Sequence, residues 1–129
     1  MQELKLNQEK SQEAHVPTEE EMDLRLRKAT NERRLKDLTI PGWYRDTRGA
    51  VCITNNGNLV SIFVNDEDGL IDVCMDTLDQ QGVFSRNLLW ESFDSMSPAV
   101  NRACAIYLAL QVGNMILLGV AANGTPRRK

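Results

Sequence analysis

The sequence predicts an α+β fold: a charged helix, a small antiparallel meander of three or four strands, a short helix and a long apolar helix. Three observations predict it. Pro17-Thr18-Glu19-Glu20-Glu21 is a helix start, and no Pro or Gly follows until Pro41. Between residues 50 and 75, short apolar segments alternate with the turn-forming runs Asn55-Asn56-Gly57-Asn58 and Asn65-Asp66-Glu67-Asp68-Gly69. Ala103 to Ala122 then gives twenty consecutive residues without a formal charge.

The first 17 residues are rich in Gln, Glu and Lys. They hold too little apolar area to offset ordering entropy and are expected to be a disordered arm. A helical arm over 18–39 follows. Thr18 caps it, Glu21 stands at the capping-box position, and Glu19, Glu20 and Glu21 meet the positive end of the dipole. Arg33, Arg34 and Lys36 lie near the other end, and Pro41-Gly42 stops the helix. Leu24, Leu35 and Leu38 share a face that Lys28 and Asn31 interrupt. So thin a seam suits a solvated helix packed along one edge, or else a short coiled coil or docking arm.

Residues 43–96 read as the β-rich middle. Ala50–Thr54, Leu59–Val64 and Leu70–Met75 are expected strands, and Asn56-Gly57 supplies the positive φ angles of a type I′ hairpin. Val60, Ile62 and Val64 line one face of the second strand, and Leu59 and Phe63 the other, which predicts cover on both faces. From Ser85, Leu89, Phe93 and Met96 recur at helical spacing and predict a short helix, with Val83-Phe84 as a fourth strand the alternative. Ser97-Pro98 then reads as N-cap and first helical residue of an apolar helix over 97–123. Asn123-Gly124 and Pro126 end it, leaving 124–129 as a basic tail. Residues 18–126 are expected to form one domain.

The net charge of −3 gives no general reason to bind nucleic acid. Its distribution is uneven: residues 1–48 balance to zero, residues 49–102 carry −6 and residues 103–129 carry +3. The N-terminus has no apolar run of the kind a secretory signal needs. Three widely spaced cysteines, Cys52, Cys74 and Cys104, argue against a disulfide framework and for a reducing, cytoplasmic setting.

Chemistry-bearing patterns are weak. With Gly69 at the invariant glycine of a calcium-binding EF-hand loop, Val64 and Met75 fall on the first and last ligand positions, and neither can ligate. Asp66, Asp68, Asp72 and Asp76 could hold Mg²⁺ weakly, but read better as solvated turn acids that blunt a sheet edge. Cys52 and Cys74 read as small core residues of neighbouring strands. The only histidine, His15, lies in the arm, so a Cys–His pair or zinc site is not expected. Glu91 and Asp94, spaced i,i+3, read as a solvated helix face. No catalytic residue, metal or cofactor is assigned, and the chain is not expected to be an enzyme.

Interaction chemistry is better represented. Trp43, Tyr44, Arg45 and Arg48 form the densest patch of residue types favoured at binding hot spots, and are the candidate partner-binding residues. On the C-terminal helix, Tyr107, Gln111, Asn114 and Leu118 fall on one stripe, the candidate oligomer interface. The segment YRDTRGAV is similar to segments of small tailed-phage proteins, over eight residues only, and no family or function is carried over from it. The expected function is a non-enzymatic interaction or assembly protein acting as a homo-oligomer with a protein partner, of the kind found among viral or mobile-element accessory factors. Two alternatives stand beside it. One is an adaptor anchored in a membrane through residues 103–122, although Arg127, Arg128 and Lys129 would then lie outside, against the positive-inside tendency. The other is a nucleic-acid accessory protein using the GWYRDTR loop and the basic tail.

Overall fold

The computed structural model describes residues 16–113 and 125–127. The arm with His15, the positions Asn114 and Leu118, and the end of the tail at Arg128 and Lys129 lie outside the described residues.

The first helix forms as the sequence predicts. α1 spans Glu19–Asp37, and Thr18 Oγ1 accepts the Glu21 N–H at 3.1 Å. At its far end Leu38 turns extended, and a cap unforeseen in the sequence appears: the Arg45 guanidinium donates to the carbonyls of Lys36 and Leu38 at 3.2 and 2.7 Å. These carbonyls are among the last four that a helix leaves without an internal partner.

The sheet is a simple antiparallel meander. Its strands are β1 (Tyr44–Arg45), β2 (Val51–Asn55), β3 (Asn58–Val64), β4 (Ile71–Leu78), β5 (Phe84–Phe93) and β6 (Thr125–Pro126), neighbours in chain order. The β2–β3 hairpin has Asn56 and Gly57 at φ of 49° and 81°, the type I′ turn expected of Asn-Gly. The third strand extends to Leu78, beyond the expected end at Met75.

Residues 84–93 form a strand and not the expected helix. Ile71, Val73 and Met75 of β4 pair with Phe93, Glu91 and Leu89, giving a period of two along the second half of β5. Register shifts at Met75/Asp76 and Thr77/Leu78 insert extra residues into β5. Those bulges break the alternation over 84–88. The helical reading comes from Leu89 and Phe93, whose four-residue spacing fits one face of a strand as well as of a helix, and the charged Glu91 between them hides the period of two.

α2 spans Met96–Val112. Ser95 is its N-cap, so Ser97 and Pro98 lie inside the first turn and not at its boundary. The helix ends earlier than expected, because Gly113 adopts a left-handed conformation and its N–H bonds back to Ala109 and Leu110. The described part of the apolar run, up to Val112, forms the second half of this 17-residue helix, with Ala103, Ile106 and Ala109 buried and Leu108 and Val112 exposed. Among the described residues no helix is long and apolar enough to cross a membrane.

One face of the sheet makes the core. Val51, Val60, Ile62, Ile71, Val73, Met75 and Phe93 pack on Ala99, Ala103, Ile106 and Ala109, with Leu35 of α1 joining them. The alanines let α2 lie close on the strands, and burying each branched side chain contributes roughly 1.5–3 kcal/mol. Cover on both faces was the expectation. α2 covers this face; among the described residues no second helix lies across the opposite one, whose central residues Cys52, Ser61, Asp72 and Cys74 are nevertheless buried.

Candidate functional site

The opposite face forms a groove. Its floor is Leu59, Ser61 and Phe63 of β3 with Cys74 and Asp76 of β4. One wall comes from Glu32 and Lys36 of α1 and from the loop after β1 through Arg45, Asp46 and Arg48. The other comes from Phe84, Asn87 and Trp90 of β5 and from Arg127. The cavity measures about 1330 Å³. Small-molecule sites run from about 300 to 1,000 Å³, so this trough is wider than most of them.

The β1–β2 loop sets one rim. Asp46 Oδ1 accepts the N–H groups of Arg48 and Ala50 at 2.9 and 3.0 Å, closing a turn that holds Gly49 at φ 91°. The same carboxylate faces the Cys52 thiol, Oδ2 to Sγ 3.9 Å. Burial, the Asp46 charge and that hydrogen bond, partly offset by Arg48, push the thiol up to about 12. Cys52 is therefore a protonated thiol at neutral pH and not a nucleophile. Cys52 and Cys74 do not sit on neighbouring strands. Each is in register with Ser61 of β3, one on either side of it.

At the other rim Asp66 and Glu67 are exposed turn acids as expected, whereas Asp68, Asp72 and Asp76 are engaged. Asp72 is fully buried. Its carboxylate accepts from Asn65 Nδ2 at 3.0 Å, Trp90 Nε1 at 2.8 Å and Ser92 Oγ at 2.6 Å. Asp76 accepts from Asn87 Nδ2 at 2.7 Å, and Asp66 faces Lys28 Nζ at 3.3 Å. Arg127 bonds to Asp68 and Ser92, lies 3.4 Å from Asp72 and stands over the Trp90 ring at 5.9 Å. Each acid that could have shared a Mg²⁺ ion has a donor of its own. Among the described residues no group of three or more His, Cys, Asp or Glu is placed to hold a metal.

The four residues of the expected partner-binding patch separate. Trp43 is half-buried against the core and meets Tyr107 of α2 edge to face at 6.0 Å. Arg45 is the α1 cap described above. Tyr44 lies exposed on β1, paired with Cys52, and Arg48 stands at the groove rim. Of the expected oligomer stripe, Tyr107 packs inward on Trp43 and Gln111 is exposed. Glu91 is not on a solvated helix face. It is buried on β5, opposite Arg102 of α2.

Sequence reading missed Phe84, Trp90 and Arg127 as one wall. The aromatic residues were visible, but the bulged strand that aims them was not. The chain matches no protein-family model, no curated protein and no solved structure.

Proposed function

We propose that the protein is a non-enzymatic interaction module that docks a partner protein in the groove on the sheet face opposite α2. The observation that carries this reading is a trough on the sheet face opposite α2, among the described residues, that mixes apolar and polar side chains. Leu59, Phe63, Phe84 and Trp90 offer apolar and aromatic contact, and Ser61, Asp76 and Asn87 offer polar contact. Aromatic anchors beside satisfied polar groups are the composition of interface centres. Three free thiols, two of them buried, favour a reducing compartment.

The nucleic-acid alternative has less support, since two of its described cations are paired. Among the described residues Arg45 is spent on backbone carbonyls and Arg127 on carboxylates, which leaves Arg48; Arg128 and Lys129 lie outside the described residues. The test is a photo-crosslinking amino acid placed at position 84 or 48 on the groove rim, or at 20 on α1 as control, in cells that make the protein. The expected result is a common protein adduct from 84 and 48 that is absent from 20. Equal labelling from all three, or nucleic-acid adducts alone, would sink the reading.

A second reading is self-assembly through α2. Leu108 and Val112 are 57% and 59% exposed. With Ala105 they form one outward stripe at i, i+3 and i+7. A second copy packing on that stripe gives a dimer. Light scattering on the full chain that stays monomeric up to high concentration would remove it.

A further inference from the structure

The Arg127 contacts have the form of a ligand held in a site. Thr125 and Pro126 add to the edge of β5 as a two-residue antiparallel strand, in register with Ser92 and Glu91. The Arg127 N–H then donates to the Trp90 carbonyl at 2.7 Å. From that anchor the guanidinium reaches two carboxylates, Asp68 and Asp72, the Ser92 hydroxyl and the face of Trp90. Backbone pairing at a strand edge with a side-chain pocket beside it is the way a sheet captures an extended peptide. Two carboxylates beside an aromatic face select a guanidinium over other groups.

The pocket is also built independently of its occupant. Asp72 is fixed by Asn65, Trp90 and Ser92, none of which needs Arg127. Asp68 Oδ1 is fixed by the Leu70 N–H at 3.0 Å, and the Asp68 carbonyl holds Arg27 at 2.8 Å through Nε. A segment running in the direction of 125–127 and continuing past the arginine would pass along Leu89 to Arg86. Among the described residues no strand pairs with β5 there.

Resting on the interaction reading above, we propose that the Asp68–Asp72–Trp90 pocket at the β5 edge docks an extended, arginine-bearing segment of the partner protein. The chain's own Thr125-Pro126-Arg127 fills the pocket as a displaceable stand-in. The partner's arginine enters when the tail leaves, so the tail sets a threshold that weak or uncharged segments do not pass. A tethered tail competes at a millimolar effective concentration, so the free site is occupied in cis until a stronger ligand arrives.

The test uses the full chain and the probe acetyl-Thr-Pro-Arg-amide, followed by the Trp90 indole N–H signal in NMR, with the Trp43 indole as internal control. In Arg127→Ala the probe should shift the Trp90 signal saturably, with affinity at least about 10-fold above that for the wild-type chain, whose tail competes. Acetyl-Thr-Pro-Gln-amide should not compete, and Arg127→Ala with Asp68→Asn should lose most of the binding. If Arg127→Ala does not fold, Arg127→Lys replaces it. That variant keeps the charge without the planar fork, and its probe affinity should lie above wild type. No saturable shift in a folded variant, or equal shifts with the Gln probe, overturns the proposal. That failure would leave crosslinks from positions 84 and 48 intact. Loss of those crosslinks with probe binding preserved would instead count against the interaction reading.

Discussion

Glu91 and Arg102 tie the sheet to its covering helix through a paired contact: Nε to Oε1 is 2.7 Å and Nη2 to Oε2 is 3.2 Å. The two side chains are 6% and 11% exposed, so the pair lies inside the α2–β5 interface. Removing one partner leaves a charge without compensation in a poorly solvated place. Arg102→Ala should therefore cost about 3–5 kcal/mol in urea unfolding. Replacing both by apolar residues of similar size, Glu91→Leu with Arg102→Met, should recover most of that loss. A single-variant cost under about 1 kcal/mol, the scale of an exposed pair, would show that the contact is not formed.

Gly69 ends the β3–β4 turn at φ 70°, and a Cβ there would stand 3.0 Å from the Lys28 backbone. Its carbonyl accepts from the buried Asn31 Nδ2 at 2.8 Å. This turn is therefore the seat of α1 on the sheet. Gly69→Ala adds left-handed strain to a backbone collision and should cost at least about 1–3 kcal/mol. Asn31→Ala leaves the carbonyl with a lost donor and should cost about 1–3 kcal/mol. Amide exchange in α1 should rise in both variants more than exchange in β4. Equal effects in the two elements would mean that α1 is anchored elsewhere.

These two relationships mark what the sequence could and could not disclose. The cap at Thr18, the Asn56-Gly57 hairpin and the alternation of β3 are local, and each is legible in a few residues. β5 is not, because Leu89 and Phe93 fit a helix face as well as a strand face, and the Glu91 between them reads as solvated until the fold buries it against Arg102. Arg45 and Arg127 look like free cations in the sequence. They are committed by partners that only the fold brings near, in Arg127's case an aspartate 59 positions away. The candidate site suffered most, since it is a sheet face assembled from β3, β4 and β5 together.

Asp68 makes the tail contact sensitive to acid. Burial raises its carboxyl, but the Arg127 hydrogen bond, the Leu70 N–H and the charges of Arg127 and Arg27 outweigh that and hold it below the usual range. The folded-state value is therefore lower than the unfolded value of about 3.9. This contribution to stability is complete above the ordinary aspartate value and is lost as pH falls through the folded value. Thermal melts from neutral into strongly acid solution should show a loss that Asp68→Asn reduces. The Trp90 indole signal should move over the same window. Identical acid profiles for wild type and Asp68→Asn would contradict the pairing.

Cys52 titrates in the opposite direction. Its side chain is 1% exposed and its thiol is pushed up to about 12 by burial and by Asp46. For an acid raised above its unfolded value, here about 8.5, the fold favours the protonated form. That contribution is present in full below the unfolded value and fades as pH rises toward about 12. At mildly alkaline pH the thiolate is scarce and the sulfur is covered, so Cys52 should be alkylated only as fast as the chain unfolds. The half-buried Cys104, raised by burial alone, should react first. Mass spectrometry of timed iodoacetamide reactions orders the two sites. Asp46→Asn removes the nearest negative charge and should lower the pH at which the thiolate absorbance of Cys52 appears. Rapid labelling of Cys52 in the native wild type, ahead of Cys104, would mean that the wall of the groove beside Asp46 opens on its own.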